Sequence, residues 1–188
     1  MLNETAPPVV GQAILDEVAR HLKLPTPVDA ETIAETEASF RAAVSHVEAQ
    51  LGLALIRRSF IWQGRLSAQS AFTLPMAPIA EITAARIIPR MGAAQDIELA
   101  KISLDQTNLR TKVVINAGWC GTVELSFVAG FGDGWADTPA DLRQAVFLLS
   151  AHYFDNRHAA GNGAEIPHGV NALLASWRPL RLGFGGAQ

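Results

Sequence analysis

The sequence predicts an α+β domain, mainly a helical bundle with a small antiparallel β-sheet inserted between the N-terminal and the C-terminal helices. Apolar residues recur at helical spacing towards both ends of the chain, whereas residues 55–130 form short extended runs broken by glycine and proline. These runs do not alternate with helices, which argues against a parallel sheet of the Rossmann type. With 188 residues and 49% hydrophobic side chains, the chain can bury the core of a single domain.

Residues 1–8 are expected to form a loose arm, and residues 9–52 to contain two helices. The apolar stripe of the first helix is Ile14, Leu15, Val18 and Leu22. In the second helix, Asp29 is the expected N-cap and Gly52 the expected C-terminal cap. At 1.5 Å per residue, this second helix would be about 30–35 Å long.

Strands and then helices follow in the rest of the chain. Within the β-rich insertion of residues 55–130, Val123, Leu125 and Phe127 alternate with polar residues, which is typical of a half-buried strand. Helices are expected again over residues 138–178, with Thr138 as N-cap and Pro139 as the first helical residue. Residues 179–188 are glycine-rich and predict a flexible tail.

The distribution of charge excludes several classes of protein. The net charge is −3, and residues 1–52 hold three basic and eight acidic side chains, hence −5. No basic patch of the kind that binds phosphate backbones is visible, and no apolar run reaches the roughly 18–20 residues of a membrane span. Cys120 is the single cysteine, so a disulfide framework and a thiolate metal site are excluded. With no secretory signal pattern at the N-terminus, we expect the protein to assemble in a reducing cytoplasm.

Three glycines at alternate positions, Gly130, Gly132 and Gly134, suggest a phosphate-binding loop and hence a small nucleotide-binding enzyme. A P-loop needs a lysine followed by serine or threonine, and no lysine occurs after Lys112. The aspartates at positions 133, 137 and 141 would also repel a phosphate. The simpler interpretation is a strand-to-helix turn whose glycines permit a positive φ.

Other polar groups do not form a catalytic or metal-binding pattern. His152 and His158 are six residues apart, so they do not make a metal-binding pair on one helix face. Ser150, His152 and Asp155 lie in one predicted helix without a nucleophile elbow. We therefore expect no catalytic residue, no metal site and no cofactor.

Aromatic and basic residues near the C-terminus form a candidate docking segment. Tryptophan and arginine are enriched at binding hot spots. The segment contains Trp177, Arg178, Leu180, Arg181, Leu182 and Phe184. The alternative is a tryptophan that packs on the domain and is followed by a frayed tail. Trp135, on the glycine-rich turn, is a candidate for a contact between subunits.

The order of several segments resembles the head–tail connector (adaptor) proteins of tailed bacteriophages and of phage-derived gene transfer agents. The most specific pieces are "VELSFVAGFGDGWADTPADLRQAVFLLSAHYFDNR" and "IPHGVNALLASWRPLRL", after "AILDEVARHLKL" near the start. The resemblance covers most of the chain. The first helix departs from it, because Arg20 and Lys23 only partly replace a more basic pattern.

The resemblance implies a structural role and no enzymatic activity. Connector subunits form a ring, commonly of about twelve copies, beneath the portal in the virion or gene transfer agent particle, where the ring extends the DNA channel and links the capsid to the tail. The implied partners are further copies of the chain, the portal protein, a tail-side stopper or tail terminator protein, and double-stranded DNA that passes without specific binding. Residues 177–188 would reach the portal, and helix 29–51 would pack side by side around the ring. Another virion component, such as a stopper or tail-completion protein, is the alternative.

The acidic surplus of residues 1–52 suggests an acidic channel lining. DNA that slides through a channel should not bind it tightly, and the missing basic patch is consistent with that.

Overall fold

The computed structural model describes residues 1–66, 71–89, 91–107, 110–115, 121–157 and 166–178. The helices of this part are α1 (Gln12–His21), α2 (Ala30–Leu51), α3 (Ala140–Asp155) and α4 (His168–Ala175). Its strands are β1 (Leu2–Glu4), β2 (Arg58–Leu66), β3 (Ala71–Thr73), β4 (Ile79–Ile88), β5 (Gln95–Asp96), β6 (Ile102–Thr107), β7 (Arg110–Ile115) and β8 (Gly121–Ala129). Two 3-10 turns lie at Leu99–Lys101 and Trp135–Asp137.

The strands form two antiparallel sheets, a five-stranded one in the order β1-β2-β8-β4-β5 and a three-stranded one in the order β3-β7-β6. The α+β class is confirmed, but the prediction of mainly a helical bundle with one small sheet is not, because strands are about as common as helix. The sequence shows the extended runs but not which of them pair. That pairing depends on contacts between residues that are far apart in the chain.

The two sheets share one apolar core. Val113 and Ile115 of β7 lie among the buried side chains of β8, including Leu125 and Phe127, all fully buried. Phe60 of β2 stacks on Phe127 with ring centroids 5.7 Å apart. The alternation predicted for residues 123–127 is confirmed, and its apolar side faces this core.

A second core lies between the helices. Helix α3 packs against α2, and also contacts α1 and α4. Phe40 and Val47 of α2 meet Leu142 and Leu149 of α3 in this core, and each is completely buried. The predicted caps of α2 are confirmed, since Asp29 accepts a hydrogen bond from the Thr32 backbone N–H at 2.9 Å and Gly52 is left-handed with φ 69°.

The prediction of a loose arm over residues 1–8 is wrong for its first part. Strand β1 pairs antiparallel with β2, with Leu2 opposite Trp62 and Glu4 opposite Phe60. A strand of three residues is too short to show a period in the sequence. Its partner is more than 50 residues away, so only the tertiary structure reveals it.

The predicted capping of the third helix is also wrong. Helix α3 starts at Ala140, with Pro139 as its N-cap, and has no side-chain cap. The Thr138 hydroxyl instead donates to the Leu55 carbonyl at 3.0 Å. This long-range bond joins the turn before α3 to the chain that enters β2.

Candidate assembly interface

The glycine-rich turn directs its backbone groups into the chain rather than towards a ligand. Gly130 N–H donates to the Pro78 carbonyl at 2.9 Å, and Gly134 N–H donates to the Asp137 carboxylate at 3.0 Å. The Gly132 carbonyl accepts from Arg57 N–H at 2.8 Å. Two of the three glycine N–H groups already donate hydrogen bonds within the chain and cannot bind a phosphate. The turn is therefore not a nucleotide-binding loop.

Of the three glycines, Gly130 has a positive φ, 138°, whereas φ of Gly134 is −119°. The predicted role of glycine is therefore confirmed at Gly130. A Cβ added there would overlap the Arg57 backbone, because the two backbones touch. The turn therefore lies directly against residues 56–58, where the chain enters β2.

The three aspartates near the turn serve the fold. Asp133 pairs with Arg57 at 3.1 Å, and Asp137 caps the 3-10 turn through Gly134 N–H. Asp141 accepts from Leu142 N–H at 2.9 Å and from the Trp177 indole N–H at 2.5 Å. Within the described ranges, no group of three or more His, Cys, Asp or Glu side chains could hold a metal ion. No helix in that part of the chain is long and apolar enough to span a membrane.

Contacts within the domain involve His21 of α1, His46 of α2 and Ser150 of α3. His46 Nδ1 and the Tyr153 hydroxyl are 3.2 Å apart and join α2 to α3, and burial raises the pKa of Tyr153. His21 stacks on Phe147 at 5.5 Å. Ser150 is completely buried, so its hydroxyl is not accessible to a substrate.

Trp135 lies inside the subunit. Its ring packs edge-on to Phe40 at 5.2 Å and to Phe147 at 5.7 Å, and only 5% of the residue is exposed. A contact of Trp135 with a neighbouring subunit stays a prediction, and little of its surface could take part. Its position explains why an aromatic residue stands on a glycine-rich turn: it fills the helical core.

Trp177 anchors the start of the C-terminal segment. Its indole N–H bonds the Asp141 carboxylate, and its ring meets Phe131 edge-on at 5.6 Å. Arg178 is exposed and donates to the Asn171 side chain at 2.8 Å. The remaining candidate docking residues, Leu180, Arg181, Leu182 and Phe184, lie outside the described residues. The first residue of the expected docking segment, Trp177, is therefore held beside the start of α3.

The exposed side of α2 was missed by sequence reasoning. Along this 22-residue helix, the solvent side carries small residues at spacings of three and four. We call them the alanine face: Ala34, Ala38, Ala42, Ser45 and Ala49. The signal was present in the sequence, opposite the apolar stripe. Glu31, exposed and three residues before Ala34, lies on the same side of the helix, and the partly exposed pair Glu37–Arg41, at 2.8 Å, lies to one side.

No protein-family model matches the chain, and no curated protein matches it. Solved structures do. The chain is 34% identical, with a TM-score of 0.81 and full coverage of both chains, to one from the neck of an empty GTA particle computed with C6 symmetry. It is 35% identical, with a TM-score of 0.77 and 98% coverage of each, to a chain from the virion of a native gene transfer agent (GTA) particle. A third match, in the neck of a native GTA particle computed with C12 symmetry, has 34% identity, a TM-score of 0.76 and full coverage.

The chain belongs to the head–tail connector family of gene transfer agents. A connector is a structural component of the particle at the head–tail junction and not an enzyme.

Proposed function

We propose that this connector forms a closed ring of about twelve copies beneath the portal, where it extends the DNA channel and links the head to the tail. The observation that carries the proposal is the full-length similarity to neck chains from reconstructions with sixfold and twelvefold symmetry. A closed ring requires heterologous contacts, in which each copy offers two different complementary faces to its neighbours.

The alanine face supports side-by-side packing of α2 in that ring. Helix axes approach to about 8–10 Å when the side chains between them allow it, and small side chains permit the closest approach. The face has no long side chain along its five positions. In this proposal it is one of the two faces that each copy offers to its neighbours.

An acidic channel lining receives less support than the sequence suggested. Four of the eight acids in residues 1–52 are paired with three arginines of the same chain: Glu4, Glu35, Glu37 and Glu48. The −5 of this segment is therefore not a free acidic surface. Asp16 and Glu31 are exposed and remain candidates for the lining.

The C-terminal segment is proposed to dock on the portal protein. Trp177 packs against the helical core, so a truncation should keep it and remove residues 179–188 alone. We expect this truncated chain to fold and to form rings, and to lose co-purification with the portal protein. Lys112→Gln, which changes an exposed cation of β7 and leaves the segment intact, is the control and should still bind. Portal binding by the truncated chain at the full-length level would refute docking through this segment.

A further inference from the structure

A groove of about 630 Å³ runs between α1 and the start of α2. Its apolar lining is Leu15, Ala19, Leu24, Val28 and Ile33. Volumes of this size are typical of sites that bind a ligand or part of a peptide. Leu15 is 7% exposed and thus forms part of the floor.

Two cations on the rim of the groove have no partner among the described residues. Arg20 and Lys23 both line it and both are exposed, and in that part of the chain neither makes a hydrogen bond or an ion pair through its side chain. Other arginines, such as Arg58, Arg86 and Arg157, are paired with carboxylates. The acid in the lining, Asp16, accepts a hydrogen bond from Gln12 at 2.9 Å. The rim therefore has a surplus of positive charge.

Lys23 also has an unusual backbone. Its φ is 55°, the left-handed conformation that glycine adopts without strain, and it is the one non-glycine residue with positive φ in the described part of the chain. It ends α1 in a Schellman arrangement, in which Leu24 N–H bonds the Ala19 carbonyl at 3.0 Å. Glycine would make this cap at lower cost. A strained residue that persists points to a role for its side chain.

We infer that this groove binds a peptide segment of a partner protein that carries acidic side chains between apolar ones. Aliphatic side chains of the peptide lie on the floor at Leu15 and Ile33, and its carboxylates meet Arg20 and Lys23 at the rim. A groove that is open to solvent suits a peptide better than a small molecule. Two cations are too few for nucleic acid, which needs a longer basic track. The site belongs to the single subunit and does not depend on the ring.

The test uses three labelled pentapeptides, LEIDL, its neutral isostere LQINL and the basic LKIKL, titrated with the full-length chain and followed by fluorescence anisotropy. LEIDL should bind about tenfold more tightly than LQINL, with an affinity that falls as salt rises, and LKIKL should not bind. Arg20→Gln and Lys23→Gln should each weaken LEIDL about threefold to tenfold. Lys112→Gln removes an exposed cation from β7 and is the matched control, for which no change is expected.

Lys23→Gly separates binding from stability. It should raise the melting temperature by about 2–4 °C, because the left-handed strain is relieved, and at the same time weaken LEIDL as Lys23→Gln does. Equal binding of LEIDL and LQINL, no binding of LEIDL below about 1 mM, or full affinity in Lys23→Gly would each overturn the inference. A ring-blocking variant on the alanine face should bind LEIDL normally, so that failure of the ring proposal and failure of this one are distinguishable.

Discussion

Arg58 donates two hydrogen bonds to the carboxylate of Glu48, at 2.9 and 2.6 Å, and each side chain is only 8% exposed. Glu48 also accepts from the Leu55 backbone N–H at 2.8 Å, and Arg58 pairs with Glu4 of β1. Burial alone would lower the pKa of Arg58, but the hydrogen bonds and charges of Glu48 and Glu4 outweigh it and raise that pKa above its ordinary value. The guanidinium stays charged and joins α2, β1 and β2.

Breaking this pair should be costly. Glu48→Gln leaves Glu4 as the one carboxylate paired with buried Arg58 among the described residues, and removal of one member of a buried pair typically costs about 3–5 kcal/mol in the free energy of unfolding. Urea denaturation measures the change. Glu37→Gln breaks the partly exposed Glu37–Arg41 pair and is the control, with an expected loss below about 1 kcal/mol. Equal losses in the free energy of unfolding for the two variants would show that the buried pair of Glu48 and Arg58 does not hold α2, β1 and β2 together.

The glycines of the turn should differ sharply in their tolerance of alanine. Gly130→Ala places a Cβ within overlap distance of the Arg57 backbone at φ 138°, and neither backbone can move without disrupting the sheet. We expect a loss above about 3 kcal/mol or a failure to fold. Gly134→Ala meets no atom closer than 3.7 Å and should change stability by less than about 1 kcal/mol. Thermal unfolding of both variants checks this, and a similar loss in the two would contradict the close approach of Gly130 to Arg57.

The N-cap of α2 should give the protein a measurable dependence on pH. The backbone N–H and the hydroxyl of Thr32 donate to the Asp29 carboxylate, and these bonds lower the pKa of Asp29. Because the folded pKa is the lower one, the stabilisation is present above the unfolded pKa of about 3.9 and is lost as the pH falls through the folded pKa. The melting temperature of Asp29→Ala should therefore lie below that of the wild type at neutral pH and converge with it in acid. Asp29→Asn keeps a capping side chain that does not titrate and is the control. A difference in melting temperature between Asp29→Ala and the wild type that persists unchanged in acid would contradict the assignment.

The alanine face should be sensitive to large side chains only in the assembled particle. Ala42→Arg keeps an exposed helical position, so the subunit should fold with a melting temperature near that of the wild type. In the ring it would hold two helices apart, and tailed particles should be lost, as counted by electron microscopy. Ala172→Arg, on the exposed side of α4, is the matched control. A normal number of tailed particles with Ala42→Arg would show that the alanine face of α2 is not a ring contact.

The parts of the fold that follow from local chemistry were predictable from the sequence. Asp29 and Gly52 mark the ends of α2 because caps act within one turn of the helix. Strand β1 and the hydroxyl bond of Thr138 depend on partners far along the chain, so no local pattern shows them. Among the candidate residues, Trp177 packs on the domain, whereas docking of the segment on a partner stays a prediction. Trp135 is buried because its ring packs against residues such as Phe40, which is almost 100 positions away in the chain.

Ring formation beneath the portal is best tested by an electron-microscopy reconstruction of the neck of particles that contain this connector. We expect a closed ring of about twelve copies that adjoins the portal, with α2 helices side by side and residues 179–188 against the portal protein. Density for this chain outside the neck, or in the neck without contact between copies, would show that it does not form such a ring.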